Sequence, residues 1–273
     1  MNVNPLAGAL GAELSGVDLS QPLSPEVREE LLEALHRHLV IFIRDQELTC
    51  AQHFAFAGNF GPQVEHPFTR GLDEWPEIIE IIRSPGEAYN WDSKFHSDLM
   101  FLEEPPMGAS LYAVEVPPYG GDTIFVNMYL AYETLSDGLK ELLSGLRAIN
   151  HSGAPANYAT PGAMTGKQGE AMEALHPVVR THPVTGRKSL FVSPGFTRRF
   201  EGMTDEESRP LLDYLCSHAL RPEFSCRFQW SPGAVAVWDN RVSLHRAVPD
   251  FFGEVDRYRR VMHRVTIGGN RPV

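Results

Sequence analysis

The sequence predicts a mainly β fold with flanking helices, a β-sandwich or jelly roll. Three observations carry this. Stretches with strand character outnumber helical ones, and they crowd into the chain after residue 76. Only four segments show a helical period and a capping residue. No internal repeat, low-complexity tract or linker interrupts the 273 residues, so residues 1–273 are expected to form one domain.

The elements follow in order. "SPEVREELLEALHRH" reads as a helix, with Ser24 as N-cap, Pro25 in the first helical position and Glu26 suited to the helix dipole. Val27, Leu31, Leu35 and Leu39 form its apolar stripe, and "LVIFIR" (39–44) then reads as a buried strand. "TCAQHFAFAGNFG" is a second helix, capped by Thr49 and ending near Gly61. Strand signals follow at 77–83, 95–101, 110–116 and 122–128. Helices are expected near 136–146 and 204–219, the latter capped by Thr204 or Asp205. Residues 175–193 read as a hairpin turning at Val184-Thr185-Gly186, and further strands are expected at 224–230, 234–239 and 257–269. The segment 153–174 is rich in Gly, Ala, Pro and Met and lacks periodicity, which suits an active-site lid or a variable surface insertion.

Bulk composition narrows the function. Apolar content of 42% with 22% charged residues is ordinary for a soluble globular chain. A net charge of -11 argues against nucleic acid as a partner. The N-terminus lacks the basic and apolar regions of a signal peptide, and no apolar run approaches eighteen residues, so no membrane partner is expected. Three cysteines with no C-x-x-C pair indicate neither a disulfide framework nor a zinc knuckle, and a reducing cytoplasm is the default location.

The chemistry begins with "KFHSDLMF". In a strand, His96 and Asp98 would stand on one face, and a carboxylate facing inward needs a partner such as a metal ion. With 11 His and 35 Asp+Glu, about 1.4 such pairs arise by chance, so the pair alone assigns nothing. "AVAVWDNRVSLHRAVPD" adds a strand, a turn at Trp238-Asp239-Asn240 and then His245 in an extended stretch. A lone histidine of this kind is more often structural than a ligand. In "YRRVMHRVTI", Arg260, Met262, Arg264 and Thr266 share one face of the last strand. The two arginines would stand about 13–14 Å apart along it. If that face is interior, both guanidinium groups need anions; an edge strand with solvated charges is the plain alternative. Two His, one carboxylate and a following Arg together match the facial triad of non-haem Fe(II) oxygenases.

On these residues the chain resembles the taurine dioxygenase family of Fe(II)/2-oxoglutarate-dependent oxygenases, a family that includes the aryloxyalkanoate dioxygenases. The blocks "LAGALGAELSGVDL", "FGPQVEHP", "FHSDLMFLEEPPMGASL", "GGDTIFVNMYLAYETLS", "LHPVVRTHPVTGRKSLFV", "WDNRVSLHRAV" and "RRVMHRVTIGG" carry the likeness over nearly the whole chain. The resemblance implies a double-stranded β-helix, a cupin-like jelly roll. It implies Fe(II) held by His96, Asp98 and His245, with 2-oxoglutarate as cosubstrate and O₂ as oxidant. It further implies that Thr123 and Arg260 bind 2-oxoglutarate, that Arg264 and His66 contact a small anionic organic substrate, and that Phe191 and Trp238 line or flank the pocket. Succinate and CO₂ would be products, the segment 153–174 would close over the site, and the chain would assemble as a dimer or tetramer.

The sequence departs from the family at Thr69, where the taurine enzymes carry tyrosine near the substrate, and in "NWDSKFHSD". "RFEGMTDEES" and "HRAVPDF" are similar to the aryloxyalkanoate branch, which leaves taurine, another sulfonate, a sulfate ester or an aryloxyalkanoate as substrate classes. Two other readings stay open: a Zn²⁺ hydrolase built on the same ligands, which would need neither O₂ nor Arg260, and a cupin-like binding module without turnover.

Overall fold

A computed structural model describes residues 1–87, 94–153 and 171–273. Residues 154–170, most of the expected lid, lie outside the described residues.

The molecule is a jelly roll, with helices covering both outer faces. The larger sheet contains β1 (Asn2–Pro5), β2 (Ala12–Ser15), β3 (Val40–Ile43), β14 (Val235–Asp239), β6 (Gly108–Glu115), β16 (Arg260–Ile267) and β4 (Gln63–Val64) in that order, with β5 (Ile78–Arg83) also paired to β16. The smaller sheet is β13 (Ser225–Phe228), β7 (Thr123–Asn127) and β15 (Ser243–Ala247), extended by an antiparallel bridge between His96 and His245. Central strands such as "VIFI" and "VAVWD" are buried on both faces, so they read as continuous apolar runs rather than alternating ones.

Three layers of core result. Between the sheets, Phe42, Ile81, Leu111, Ala236 and Met262 of the larger sheet meet Phe125 and Phe228 of the smaller. Phe42 and Phe228 stack with centroids 3.9 Å apart across that layer. Outside the larger sheet, Leu31 and Leu35 of α1 (Pro25–His38) and Phe56 of α2 (Cys50–Ala57) cover Ile41, Val235 and Val237. Outside the smaller sheet, Met128 and Ala131 of α3 (Met128–Glu133) and Leu212 and Leu215 of α5 (Asp205–Ala219) cover Val126 and Leu244. A three-stranded sheet of β12 (Thr197–Phe200), β8 (Arg147–His151) and β9 (Glu173–Pro177) and the hairpin β10 (Val179–Thr181)–β11 (Lys188–Leu190) flank this side, with α4 (Asp137–Leu143) before β8.

Capping chemistry behaves as the residues dictate. Ser24, Thr49 and Thr204 each accept a backbone N–H of the first helical turn, and Thr49 with Gln52 and Thr204 with Glu207 complete capping boxes. α2 ends at Ala57 with Gly58 as its cap, four residues short of the expected end. The expected strand 122–128 stops at Asn127, whose side chain caps the unanticipated helix α3. In 175–193 the first residues pair with β8 instead, and only β10 and β11 form a hairpin around Gly186.

One correction bears on the site. Residues 95–101 are not a strand: only His96 pairs, and residues 98–101 form a turn in which Leu99 has φ 50°. That left-handed conformation costs a non-glycine residue about 1–2 kcal/mol. Burial of Leu99 with Phe68 and Phe101 offsets it. The alternation argument for His96 and Asp98 therefore fails, although the two side chains do converge.

Candidate metal centre and cosubstrate pocket

His96 and His245 sit opposite each other on the bridge that extends the smaller sheet, with His96 N–H donating to His245 C=O at 3.0 Å and the reverse at 2.8 Å. Asp98 comes from the turn that follows. His96 Nε2 and His245 Nε2 stand 3.6 and 3.5 Å from Asp98 Oδ1. Neighbouring ligand atoms of a six-coordinate ion about 2.1 Å away would be about 3 Å apart, so only a small contraction is needed.

The donor chemistry fits a dication. His96 Nδ1 lies 2.8 Å from the Lys94 carbonyl oxygen, which can only accept. Nδ1 therefore carries the proton and Nε2 the lone pair. Burial pushes His245 down to about 3 against the pull of Asp98, so its ring is neutral. Burial alone would raise Asp98, but Arg264, His245 and His96 outweigh it and hold the carboxyl well below its ordinary range. Arg264 Nη2 lies 2.9 Å from Asp98 Oδ1 as an ion pair, without the alignment of a hydrogen bond. The other carboxylate oxygen, Oδ2, accepts from Asn240 Nδ2 at 2.9 Å and Trp238 Nε1 at 3.2 Å.

Beside His245 opens a cavity lined by Ile81, Leu111, Thr123, Trp238, Ala247, Arg260 and Arg264. Arg260 and Arg264 both face it, as their shared strand face predicts, while His263 on the opposite face meets Cys50 and Glu80. Thr123 Oγ1 accepts from Trp230 Nε1 at 3.0 Å, which leaves its hydroxyl proton to donate into the cavity. Gly121, at φ 67°, makes the room: a Cβ there would lie 2.8 Å from Phe251 and 3.4 Å from Arg260. Its N–H donates to Asp250 Oδ1 at 2.6 Å, and Arg227 ties Asp250 to Asp122. A cavity with a guanidinium at its wall and a hydroxyl donor suits a carboxylate-bearing ligand.

His66 and Thr69 are buried with Arg264 nearby. His66 Nδ1 accepts the backbone N–H of Phe68 at 3.2 Å and of Thr69 at 3.0 Å, so Nε2 carries its proton. Burial, with help from Arg264, pushes His66 down to about 3, which makes it a neutral donor. Phe191 is placed differently from expectation: it packs on His176 and under Arg180. The ring against His96 is Phe196, edge-on at 5.7 Å. Gly195 permits the approach of this turn: a Cβ there would lie 3.1 Å from His96 Cβ and 3.2 Å from the Phe95 carbonyl oxygen. The phenylalanine after Pro194-Gly195 was the available signal. Asn240 was also missed, because a polar residue in a turn gives no sign of what it will meet.

The family model of the taurine catabolism dioxygenase TauD, TfdA family matches residues 2–266. An alpha-ketoglutarate-dependent sulfate ester dioxygenase of Pseudomonas putida is 33% identical over 282 residues, covering 100% of this chain and 91% of that protein. An alpha-ketoglutarate-dependent 2,4-dichlorophenoxyacetate dioxygenase of Cupriavidus pinatubonensis is 34% identical, covering 89% of this chain and 90% of that one. Among solved structures, a taurine dioxygenase from Burkholderia xenovorans matches with a TM-score of 0.85 and 40% identity over 100% of this chain and 90% of that one. The structure of AAD-2 in complex with Mn(II) and N-oxalylglycine matches at 0.78 with 28% identity, over 99% and 98% of the two chains. The chain therefore belongs to the taurine catabolism dioxygenase TauD, TfdA family and is a dioxygenase, an oxidoreductase.

Proposed function

We propose that this chain is an Fe(II)/2-oxoglutarate-dependent dioxygenase that hydroxylates a small anionic organic molecule: a sulfonate, a sulfate ester or an aryloxyalkanoate. The observation that carries the reading is the convergence of His96, Asp98 and His245 beside a cavity faced by Arg260 and Thr123. Relatives of about one-third identity named for alpha-ketoglutarate dependence support the cosubstrate, and the names of those relatives support the substrate classes. AAD-2 holds N-oxalylglycine and a divalent ion together, which supports the pairing of metal and dicarboxylate.

His96, Asp98 and His245 would hold the iron. When bound, Fe(II) would supply open positions and redox coupling for a reaction in which 2-oxoglutarate and the substrate each give two electrons to O₂, yielding succinate, CO₂ and a hydroxylated substrate. The protein's own part is positioning. Arg260 pairs with the far carboxylate of 2-oxoglutarate and Thr123 donates its hydroxyl proton to it. With a dication neutralising Asp98, Arg264 is released to a substrate anion, and neutral His66 donates from Nε2. Phe196, Phe101 and Phe68 keep that side apolar and exclude water. The same reading takes the protein as a cytoplasmic homo-oligomer acting on small molecules; the three free thiols support a reducing compartment and the acidic balance a partner other than nucleic acid. Among the described residues no helix is long and apolar enough to cross a membrane.

Succinate release under air, scored over a panel of sulfonates, alkyl sulfates and aryloxyacetates, tests the reading. In Arg260→Ala the apparent KM for 2-oxoglutarate is expected to rise about 10- to 100-fold, the loss of a charge-assisted contact of about 1.5–3 kcal/mol. An unchanged KM, or turnover without O₂ and 2-oxoglutarate, would overturn it.

A further inference from the structure

We propose that Asn240 is a positioning residue that holds Asp98 as a one-oxygen metal ligand, with Trp238 as its partner. This rests on the metal reading above and adds a residue to it. Both oxygens of a carboxylate can ligate one ion, and a two-oxygen grip would use a coordination position that a cosubstrate or O₂ needs. In this structure the two oxygens of Asp98 have different surroundings. Oδ1 faces both histidine Nε2 atoms, whereas Oδ2 is turned away and accepts from Asn240 Nδ2 and Trp238 Nε1.

The orientation of the Asn240 amide follows from its other partners. Asp98 N–H at 3.3 Å and Trp238 Nε1–H at 2.9 Å both point to Oδ1, and neither group can accept. Oδ1 must therefore face them, and Nδ2 must face the carboxylate. The backbone is held as well: Ser97 Oγ donates to Asn240 C=O at 2.7 Å, and Asn240 N–H donates to Met107 C=O at 2.8 Å. Asn240 thus grips the 97–98 backbone and the Asp98 side chain together. All of these groups are buried, with Asn240 1% and Asp98 2% exposed. Water is not at hand to replace a missing donor at Oδ2.

The turn that carries Asn240 is itself braced. Arg241 pairs with both oxygens of Asp239 at 2.8 and 2.5 Å, His182 Nε2 stands 3.0 Å from Asp239 Oδ2, and Ser243 Oγ donates to Asp239 C=O at 2.6 Å. Asn240 therefore has little freedom to follow Asp98 if the carboxylate rotates, and the carboxylate stays where Asn240 puts it.

Mn(II) titration of the purified full chain, with free Mn(II) read by electron paramagnetic resonance, tests this. Visible absorption of the Co(II)-loaded protein reports ligand number alongside. In Asn240→Ala, the Mn(II) Kd is expected to rise about 10- to 100-fold and the Co(II) bands to change in intensity. Trp238→Phe keeps an aromatic ring but removes the indole N–H that Asp98 Oδ2 and Asn240 Oδ1 share, and is expected to shift both readouts in the same sense but less. It also stands in should Asn240→Ala fail to fold. Wild-type Kd and Co(II) bands in a folded variant, with only a lowered melting temperature, would make Asn240 merely structural and overturn the proposal. If wild type itself binds no Mn(II), the metal reading fails, which is a separate result.

Discussion

Among the described residues two groups of two histidines and an aspartate converge, and only one is suited to a metal. His96, Asp98 and His245 form one; His36, His182 and Asp239 form the other, and in both the candidate ligand atoms lie within 4.8 Å of one another. The difference is how the guanidinium partner holds the carboxylate: Arg264 pairs with Asp98 without the alignment of a hydrogen bond, whereas Arg241 hydrogen-bonds both oxygens of Asp239. Asp98 Oδ2 is held by neutral donors, and Oδ1 faces two imidazole nitrogens with Arg264 nearby. Asp239 is already neutralised by Arg241 across both oxygens and bound by His182, with Arg180 adding positive charge around it. Burial alone would raise the Asp239 carboxyl, but Arg241 and His182 hold it far below its ordinary range. Residue type and proximity are thus the same in both groups. What decides is whether both carboxylate oxygens are already hydrogen-bonded by a guanidinium.

The comparison can be broken in several ways. Asp98→Ala should show the largest effect: Fe(II)-dependent succinate formation is expected to fall at least about 100-fold, since a ligand matters no less than the groups around it. Wild-type-like turnover would remove Asp98 from the metal. Metal titration of the wild-type chain should saturate at one Mn(II). A second binding event lost in Asp239→Ala would erase the distinction drawn above.

Stability should respond in the opposite order. Removing Asp239 strands Arg241 in the interior, and breaking a buried pair costs about 3–5 kcal/mol. For a chain of this size that corresponds to a melting temperature lower by about 6–15 °C. A change under 2 °C would show that the second group braces nothing.

The smallest effect concerns acid. His53 is buried on α2 with Nε2 2.9 Å from Ser110 Oγ, and burial, with a smaller push from His263, lowers it to about 3. The unfolded side chain titrates near 6.5. Between these values the unfolded state binds the extra proton, so the stability from neutral His53 is intact above about 6.5 and is lost as pH falls toward 3. The slope is at most about 1.4 kcal/mol per pH unit for one such group. His53→Gln should flatten denaturant midpoints between pH 6 and pH 4, and an unchanged slope would mean that His53 is already charged in the fold.

Much of the molecule is legible in the residues themselves. Helix starts at Ser24, Thr49 and Thr204 and the buried runs of β3 and β14 depend on local propensity and capping, which act within a few residues. That Arg260 and Arg264 share one face follows from strand periodicity alone, whereas its inward orientation comes from packing. The fold and the metal-ligand candidates were reached through motif likeness as much as through pattern, since no local rule joins His96 to a histidine nearly 150 positions later.

Other features were decided only by tertiary structure. The segment 95–101 has strand-like composition, yet it turns at Leu99 because burying that side chain with Phe68 and Phe101 outweighs its backbone preference. Phe196 rather than Phe191 meets His96 because a glycine lets one turn come close, a fact of packing and not of sequence spacing. The contrast between the two aspartates is likewise invisible along the chain, because Arg241 and Asn240 are adjacent residues whose side chains go to different carboxylates. Local rules set which segments are helix, strand or turn. Which buried carboxylate keeps an oxygen facing the histidines depends on long-range contacts, and those exist only once the sheets have packed.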